Sequence, residues 1–214
     1  MQVFKAIFWD NDGTLVDTEP LFFEATKQVL SEVGVTLTMD FYINKQLKLN
    51  ISTYELAREK GISEDRIIEL RRKRNKIFMD SLEKGIEPMD GVEAVLESLE
   101  SKYLMGIVTS SRLDHFEMTM RSAGIKQYFD FVITKEDITN EKPDPEPYLL
   151  ALERTGLLPE ECLVIEDTER GVVSAKAANL TCYAIPNELS KENDFSASDR
   201  VLGSIGELIE LLQY

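Results

Sequence analysis

Apolar and polar positions along the chain form two kinds of block that alternate. Short apolar runs bounded by turn residues predict strands, and stretches with apolar residues every three or four positions predict helices. The predicted strands are, in order, VFKAIFW, LMGIVTS, FDFVIT, CLVIED and TCYAIP. Most intervals between them hold helical patterns, such as GVEAVLESLE, DHFEMTMRSAG and PEPYLLALERTG. This alternation predicts an α/β fold, a parallel sheet joined by right-handed crossovers with helices on both faces.

One interval is too long to be a single crossover. Between the first and second predicted strands, from about Asp17 to about Gly106, the chain shows helix and loop patterns with no convincing strand. The core pattern resumes with MDGVEAVLESLE. We therefore predict a core domain made of residues 1–17 and 88–214, and an inserted helical domain of residues 18–87.

Composition narrows the class of protein. With 214 residues, 43% of them hydrophobic, the chain can bury a substantial core. Its formal net charge of -15 argues against nucleic acid and anionic lipid as partners, because such a surface repels phosphate over about a Debye length. The sequence shows neither a basic leader nor an apolar stretch of about 18 residues. We therefore expect a cytoplasmic protein without membrane contact, as a monomer or a dimer.

The chain has two cysteines and one histidine. Cys162 and Cys182 lie in predicted buried strands, so we expect small core residues suited to a reducing compartment, and neither a disulfide nor a metal site. His115 lies in the predicted helix after the second strand, where we expect it to be partly exposed. With no second histidine, a phosphohistidine relay and a zinc-binding pair lose support.

Polar residues follow each of the first four predicted strands. In open parallel sheets, ligands bind beyond the carboxyl ends of the strands, close to where the strand order reverses. The polar residues at these ends are Asp10, Asn11, Asp12 and Thr14 after the first strand, Thr109, Ser110 and Ser111 after the second, Lys142 after the third, and Glu166 and Asp167 after the fourth. They would converge on one edge of the sheet, where an acidic cluster in a cleft would favour a divalent cation.

Each of these groups also has an ordinary structural explanation. The DNDG stretch could form a turn, a hydroxyl after the second strand could cap the next helix, and Lys142 could be a solvated loop lysine. A calcium-binding loop is excluded, because the sixth and twelfth positions counted from Asp10 are Leu15 and Leu21, where glycine and glutamate are required. The joint placement of these residues at successive strand ends favours a shared site.

Four motifs in this order resemble those of the haloacid dehalogenase superfamily, in the subfamily of small phosphatases and β-phosphoglucomutase-like proteins. They are FWDNDGTLVD, GIVTSSR, EKPDPEPY and VIEDTERGVVSAKAA, and they cover the whole predicted core. The resemblance implies a Rossmann-like core, a helical cap inserted after the first strand, Mg²⁺ and an aspartyl-phosphate intermediate. The function it implies is a magnesium-dependent phosphohydrolase that acts on a small phosphorylated metabolite, a sugar phosphate or a nucleotide.

The resemblance gives roles to the acidic residues. Asp10 would be the nucleophile, which splits one difficult displacement into two through a covalent phosphoaspartate. Asp12 would be the proton shuttle, which protonates the leaving oxygen and then takes a proton from the attacking water. An acid at this position favours phosphate esters over carbon–halogen or carbon–phosphorus substrates, because an alkoxide leaving group needs its proton. Asp10, Asp167 and the backbone carbonyl of Asp12 would hold Mg²⁺, with Glu166 a candidate for a further ligand.

The same resemblance implies which groups would bind the phosphoryl group. Lys142 would add a positive charge beside the nucleophile. The hydroxyl of Thr109, with backbone N–H groups near Asn11 and Ser110, would hydrogen-bond the phosphoryl oxygens.

Two residues of the predicted insert bear on substrate choice. Arg74 interrupts an apolar helical stripe, so it could reach a substrate anion or extend to solvent, and it falls near a cap lysine of β-phosphoglucomutase. Phe22 aligns with the mutase's cap-hinge histidine, and the loop QLKLNIST lacks the glycine expected there. These departures favour a phosphohydrolase over a mutase, because a mutase must shield its phosphoenzyme from water.

Three functions remain open at this point. A phosphohydrolase is the foremost, a phosphosugar mutase of the β-phosphoglucomutase type is the second, and a non-enzymatic protein that binds a partner or a phosphorylated effector is the third. A pure binding module would not require both Asp10 and Asp12, which argues against the third.

Overall fold

The core of the protein is a six-stranded sheet in which all neighbouring strands are parallel. The computed structural model describes residues 4–212. Its strands are β1 (Ala6–Trp9), β2 (Leu104–Val108), β3 (Phe131–Ile133), β4 (Cys162–Glu166), β5 (Thr181–Ala184) and β6 (Arg200–Val201). Across the sheet they follow the order β3-β2-β1-β4-β5-β6. The predicted α/β fold is confirmed; Val3, where the predicted first strand began, lies outside the described residues.

The sequence pattern missed the strand β6. It has only two residues, Arg200 and Val201, and both are exposed, so no apolar run marks it. It pairs in parallel with β5 at one edge of the sheet. Next to it, the backbone N–H of Asp199 donates to the carbonyl of Cys182 in β5 (2.9 Å). Local hydrogen bonds therefore hold this strand in place of apolar burial.

Helices connect the strands. They are α1 (Glu19–Ser31), α2 (Met39–Phe41), α3 (Glu55–Glu59), α4 (Glu64–Leu82), α5 (Val92–Leu99), α6 (Leu113–Ala123), α7 (Glu146–Thr155), α8 (Glu169–Ala177) and α9 (Glu207–Leu211). A π-helix, Tyr42–Leu47, follows α2. The three predicted core helices are confirmed as α5, α6 and α7. None of the helices within residues 4–212 combines the length and apolarity needed to cross a membrane.

The chain divides into two compact units, one of which is Thr18–Ile86 and the other the described residues on either side of it. In the inserted unit, α1 packs along α4, and both contribute to one apolar cluster. The helix α4 begins where the Ser63 hydroxyl accepts from the N–H of Arg66 (3.4 Å), with acidic residues in its first turn. The insert therefore has a hydrophobic core of its own.

The chain leaves and re-enters the larger unit at adjacent points. Val16 forms an antiparallel bridge with Pro88. The backbone N–H of Met89 donates to the carbonyl of Leu15 (2.9 Å). Both flanks of the insert are thus fastened to each other within the core.

Both faces of the sheet are covered. Alternate residues of a strand point to opposite faces. In β1, Ala6 and Phe8 belong to a buried cluster with residues of α7 and α8, while Ile7 and Trp9 point the other way. All four side chains are fully buried. This explains why β1 is apolar throughout, as is typical of strands in a doubly covered parallel sheet.

The cysteines agree with the sequence analysis, and the histidine does not. Cys162 and Cys182 are free, fully buried members of the core cluster, and burial raises the pKa of both thiols. The prediction that His115 is partly exposed is wrong, because only 7% of this residue is exposed. It lies on the buried stripe of α6 together with Phe116 and Thr119.

Candidate active site

The candidate site lies at the carboxyl ends of β1 and β4, where the strand order reverses. Asp10 directly follows β1, and its backbone N–H donates to the carbonyl of Ile165 in β4 (2.9 Å). Glu166 ends β4, and Asp167 follows it. The pairing of these two strands brings three predicted acidic residues together, with one ligand oxygen of each within 4.8 Å of the others.

Lys142 is the buried cation of this cluster. Its Nζ donates to Asp10 Oδ1 (2.7 Å), to Glu166 Oε1 (2.6 Å) and to the carbonyl of Val108 (2.8 Å). Burial lowers the pKa of Lys142, but the charges of Asp10 and Glu166 outweigh burial and hold it above the ordinary value. Lys142 therefore carries a positive charge beside Asp10, and the alternative of a solvated loop lysine is excluded.

Asp10 sits in a strongly desolvated position. Burial raises the pKa of its carboxyl to about 7, opposed by the charge of Lys142 and assisted by the charge of Glu166. A further cation near Asp10 would favour the ionised carboxylate. The environment therefore suits a carboxylate that works next to positive charge.

Glu166 is held by donors on both of its oxygens. Oε1 accepts from Lys142 and from the hydroxyl of Tyr148 (2.8 Å), and Oε2 accepts from the hydroxyl of Thr168 (3.2 Å). The side chain is fully buried, and a Cβ at Gly171 would lie 1.9 Å from its carboxyl carbon. Only glycine leaves room for the carboxylate there. The role of Tyr148 was not predicted, although it is the last residue of the third motif.

Asp12 is held by the loop after β2. The hydroxyl of Ser111 donates to Asp12 Oδ2 (2.6 Å), and the hydroxyl of Thr109 makes a longer contact with the same oxygen (3.4 Å). Thr109 Oγ1 also accepts from the backbone N–H of Ser111 (3.0 Å). Asp12 is partly exposed, unlike Asp10. This arrangement presents the Asp12 carboxyl at the same sheet edge and shows a contact of Ser111 that sequence analysis did not predict.

Two predicted phosphate-binding residues carry buried polar atoms at this edge. Neither Oδ1 nor Nδ2 of Asn11 has a hydrogen-bond partner among residues 4–212, and the same is true of Ser110 Oγ. Buried polar groups in native proteins are normally paired with protein, water or ligand. Both side chains therefore carry hydrogen-bonding capacity that no protein group among residues 4–212 uses.

The sequence of the core matches one family. The model of the family described as haloacid dehalogenase-like hydrolase matches residues 7–185. The chain belongs to this family. The matched range begins within β1, ends after β5 and includes every residue of the candidate site named so far, so the predicted family is confirmed.

Named relatives cover most of the chain. A Thermotoga maritima protein named phosphorylated carbohydrates phosphatase is 32% identical over 195 residues, which are 87% of this chain and 87% of that protein. Fructose-1-phosphate phosphatase YqaB of Escherichia coli is 29% identical over 188 residues, 83% of this chain and 94% of YqaB. These relatives confirm the prediction of an enzyme of the haloacid dehalogenase-like hydrolase family.

A solved structure shows the same fold. The crystal structure of CbbY from Rhodobacter sphaeroides in complex with phosphate is 24% identical and covers 96% of each chain, with a TM-score of 0.82. This chain and CbbY therefore share the same fold.

The donor set fits the metal that this family generally uses. Mg²⁺ prefers hard oxygen ligands, and carboxylates are the only ligand groups in the cluster of Asp10, Glu166 and Asp167. Both oxygens of Glu166 already accept hydrogen bonds. Asp10 and Asp167 are therefore the better candidates for direct metal ligands, with Glu166 the weaker one.

The two predicted insert residues contact each other. The guanidinium carbon of Arg74 lies 4.2 Å from the ring centroid of Phe22 and 5.9 Å from that of Tyr54. Phe22 also packs edge-on against Phe78 (5.2 Å between centroids). Ile67, seven residues before Arg74 in α4, is buried. Arg74 thus covers aromatic rings of the insert, and a contact of Arg74 or Phe22 with substrate stays a prediction.

Proposed function

We propose that this chain is a magnesium-dependent phosphohydrolase that removes phosphate from a small phosphorylated metabolite through an aspartyl-phosphate intermediate. The observation that carries the proposal is the pairing of Asp10 with buried Lys142 (2.7 Å) at the sheet edge that also holds Asp12. A buried nucleophile beside a fixed positive charge, with a second and more exposed carboxyl nearby, suits attack on a phosphate ester followed by proton transfer.

The two carboxyl groups divide the reaction. In the first step, an Asp10 oxygen attacks phosphorus, the bond from phosphorus to the ester oxygen breaks, and Asp12 gives its proton to the leaving alcohol. In the second step, water attacks the phosphorus of phosphoaspartate and Asp12 takes a proton from that water. The phosphorus–Asp10 bond then breaks and inorganic phosphate leaves. Both carboxyl groups return to their starting forms.

The remaining residues bind and neutralise the phosphoryl group. We assign Asp10, Asp167 and the backbone carbonyl of Asp12 as ligands of Mg²⁺, and the bound ion supplies positive charge against the phosphate oxygens. Lys142 supplies a second positive charge, and Glu166 holds Lys142 in place.

Hydroxyl and N–H groups at the same edge would orient the substrate. Thr109 and the loop residues Asn11 and Ser110 supply donors toward the phosphoryl oxygens, and the unpaired polar atoms of Asn11 and Ser110 support this role. Hydrogen bonds to charged oxygens are stronger than those between neutral groups. These contacts fix the phosphoryl group in line with Asp10.

The substrate we propose is a phosphorylated carbohydrate. Two relatives, one 32% and one 29% identical, are named as phosphatases of phosphorylated carbohydrates and of fructose 1-phosphate. Arg74 of the insert is a candidate for recognising an anionic or hydroxylated part of such a substrate. A phosphosugar mutase remains the alternative, which the departures at Phe22 and in the QLKLNIST loop disfavour.

The test is phosphate release from a panel of sugar phosphates, nucleotides and an aryl phosphate, with and without Mg²⁺. Wild type, Asp10→Asn and the control Asp90→Asn are compared, because Asp90 is an exposed aspartate elsewhere in the same unit. We expect magnesium-dependent release by wild type and by the control, and none by Asp10→Asn. Conversion of β-glucose 1-phosphate to glucose 6-phosphate without phosphate release would instead establish the mutase. A folded protein inactive in every assay would favour a binding role.

A further inference from the structure

Asn187, in the loop after β5, joins three parts of the candidate site. Its Nδ2 donates to Asp167 Oδ2 (2.8 Å) and to the backbone carbonyl of Gly13 (3.1 Å). Its Oδ1 accepts from the backbone N–H groups of Leu189 (2.8 Å) and Ser190 (3.1 Å). One carboxamide thus connects the loops that follow β1, β4 and β5.

The orientation of this carboxamide is determined by its partners. A carboxylate and a backbone carbonyl only accept hydrogen bonds, so the NH₂ group must face Asp167 and Gly13. Backbone N–H groups only donate, so the oxygen must face Leu189 and Ser190. A flipped amide would lose all four contacts, and the side chain therefore has a single favourable arrangement.

Gly13 shows how closely these loops approach. Its φ is +96°, a backbone conformation that residues other than glycine rarely adopt. A Cβ at this position would lie 2.3 Å from Asp167 Oδ2 and 2.7 Å from Asn187 Nδ2. The Asp167–Asn187 pair occupies the space that a side chain would need. The backbone N–H of Gly13 is also engaged, since it donates to the carbonyl of Val16 (2.7 Å).

We infer that Asn187 is a positioning residue for the metal site, an inference that rests on the Mg²⁺ of the proposed function. By donating to Oδ2, Asn187 fixes the rotation of the Asp167 carboxylate before the ion binds. By donating to the carbonyl of Gly13, it also fixes the peptide next to Asp12, whose own carbonyl is a proposed ligand. Residues that orient metal ligands typically contribute about 10- to 100-fold to metal affinity.

A purely structural role is the competing explanation. The contacts of Oδ1 with Leu189 and Ser190 form a local turn of the kind that Asn side chains commonly stabilise. If that turn were the whole function, loss of the acceptor side would weaken the loop, and loss of the donor side alone would have little effect. The two sides can be separated by mutation.

Two variants and one control make this separation. Asn187→Ala removes both sides of the amide. Asn187→Ser keeps an acceptor that can cap the turn but is too short to reach Asp167. The control Ser190→Ala removes a hydroxyl that accepts from the backbone N–H of Asn187 (3.0 Å) and leaves the Asn187 amide in place. Thermal unfolding of all variants reports whether each one is folded.

The measurement is direct binding of Mn²⁺, as a spectroscopic substitute for Mg²⁺, by electron paramagnetic resonance titration of the whole protein. We expect Asn187→Ala and Asn187→Ser to raise the dissociation constant about 10- to 100-fold, with Ser190→Ala like wild type. In activity assays the same two variants should need more Mg²⁺ for half-maximal rate, and excess Mg²⁺ should restore most of kcat with substrate KM unchanged.

Three results would overturn the inference, and they are distinguishable. Wild-type affinity in Asn187→Ser, whatever the affinity of Asn187→Ala, would show that the donor side of the amide does not position the ligands. Equal weakening in Ser190→Ala would assign the effect to the loop as a whole. Failure of wild type itself to bind Mn²⁺ would refute the metal site of the proposed function and this inference with it, whereas loss of turnover with Mn²⁺ binding intact would leave the inference standing.

Discussion

Replacing Tyr148 with phenylalanine removes one hydroxyl from the most buried part of the site. The side chain is fully buried, and its hydroxyl donates to Glu166 Oε1 at 2.8 Å. The aromatic ring stays, with its centroid 5.0 Å from Lys142 Nζ. The substitution therefore isolates a single hydrogen bond between a neutral donor and a buried carboxylate.

The expected loss of stability depends on the hydrogen bonds that Glu166 retains in the variant. A hydrogen bond to a charged group contributes about 1.5–3 kcal/mol to stability. In the variant, Oε1 still accepts from Lys142 (2.6 Å) and Oε2 still accepts from Thr168 (3.2 Å), so the carboxylate is not left unsatisfied. The lower end of the range applies, and we expect a loss of about 1.5 kcal/mol in the free energy of unfolding. Lys142 also keeps its hydrogen bonds to Asp10 and to the carbonyl of Val108, so kcat/KM should stay close to that of wild type.

Urea unfolding followed by tryptophan fluorescence measures this loss. The single tryptophan, Trp9, is fully buried in β1 next to β4, so its emission reports the unfolding of the core. Tyr103→Phe is the matched control, because that hydroxyl donates to a neutral carbonyl, of Leu212 (2.8 Å). A neutral bond is worth about 0.5–1.5 kcal/mol. The reasoning fails if Tyr148→Phe costs less than the control, or if it costs more than about 4 kcal/mol, as expected only when a buried ion pair is broken.

Three further substitutions test other contacts. Lys142→Met leaves two buried carboxylates without their shared cation. We expect a loss of about 3–5 kcal/mol in the free energy of unfolding and a fall of about 10²–10³-fold in the rate of phosphate release. A stable, active variant would contradict the charge assigned to Lys142. Gly13→Ala places a methyl group against Asp167 Oδ2 at a position with positive φ. It should weaken activation by Mg²⁺ about 10- to 100-fold, as measured by the Mg²⁺ dependence of turnover. A wild-type Mg²⁺ dependence would argue against the close approach of Gly13 and Asp167. Tyr54→Phe removes a buried hydroxyl that has no hydrogen-bond partner among residues 4–212. In contrast to Tyr148→Phe, it should leave the stability of the insert unchanged or slightly higher in circular dichroism melting, and a clear loss would reveal a partner for this hydroxyl.

The strands that could be predicted are those that apolar burial specifies. The sequence of β1 is apolar because both of its faces are covered, and such a run is visible without a structure. The strand β6 is exposed and held by hydrogen bonds to its neighbour, so its two residues carry no pattern. The burial of His115 could have been predicted from its spacing. His115, Thr119 and Ala123 are four residues apart and lie on the buried stripe of α6.

The candidate site divides in the same way. Asp10, Asp12 and Asp167 follow strands, so the sheet rule alone predicts that they converge. Lys142 follows the third strand, so the sheet rule also predicts its position, but its burial has no signal in the pattern because a lysine in a loop has no periodicity. Asn187 follows β5 and obeys the sheet rule as well, but its role depends on an amide reaching residues 20 and 174 positions away. Such contacts depend on loop conformation, which the apolar pattern does not encode.

The bridge between Val16 and Pro88 has a consequence for how this chain can vary. Because the core itself holds the two flanks of the insert together, the entropy of closing that loop depends only weakly on what lies between them. Each doubling of the length of a flexible loop costs only about 0.6 kcal/mol. An insert of another size or helix arrangement could therefore be exchanged at this junction with little change in the stability of the sheet, so the module can diversify while the candidate site is preserved.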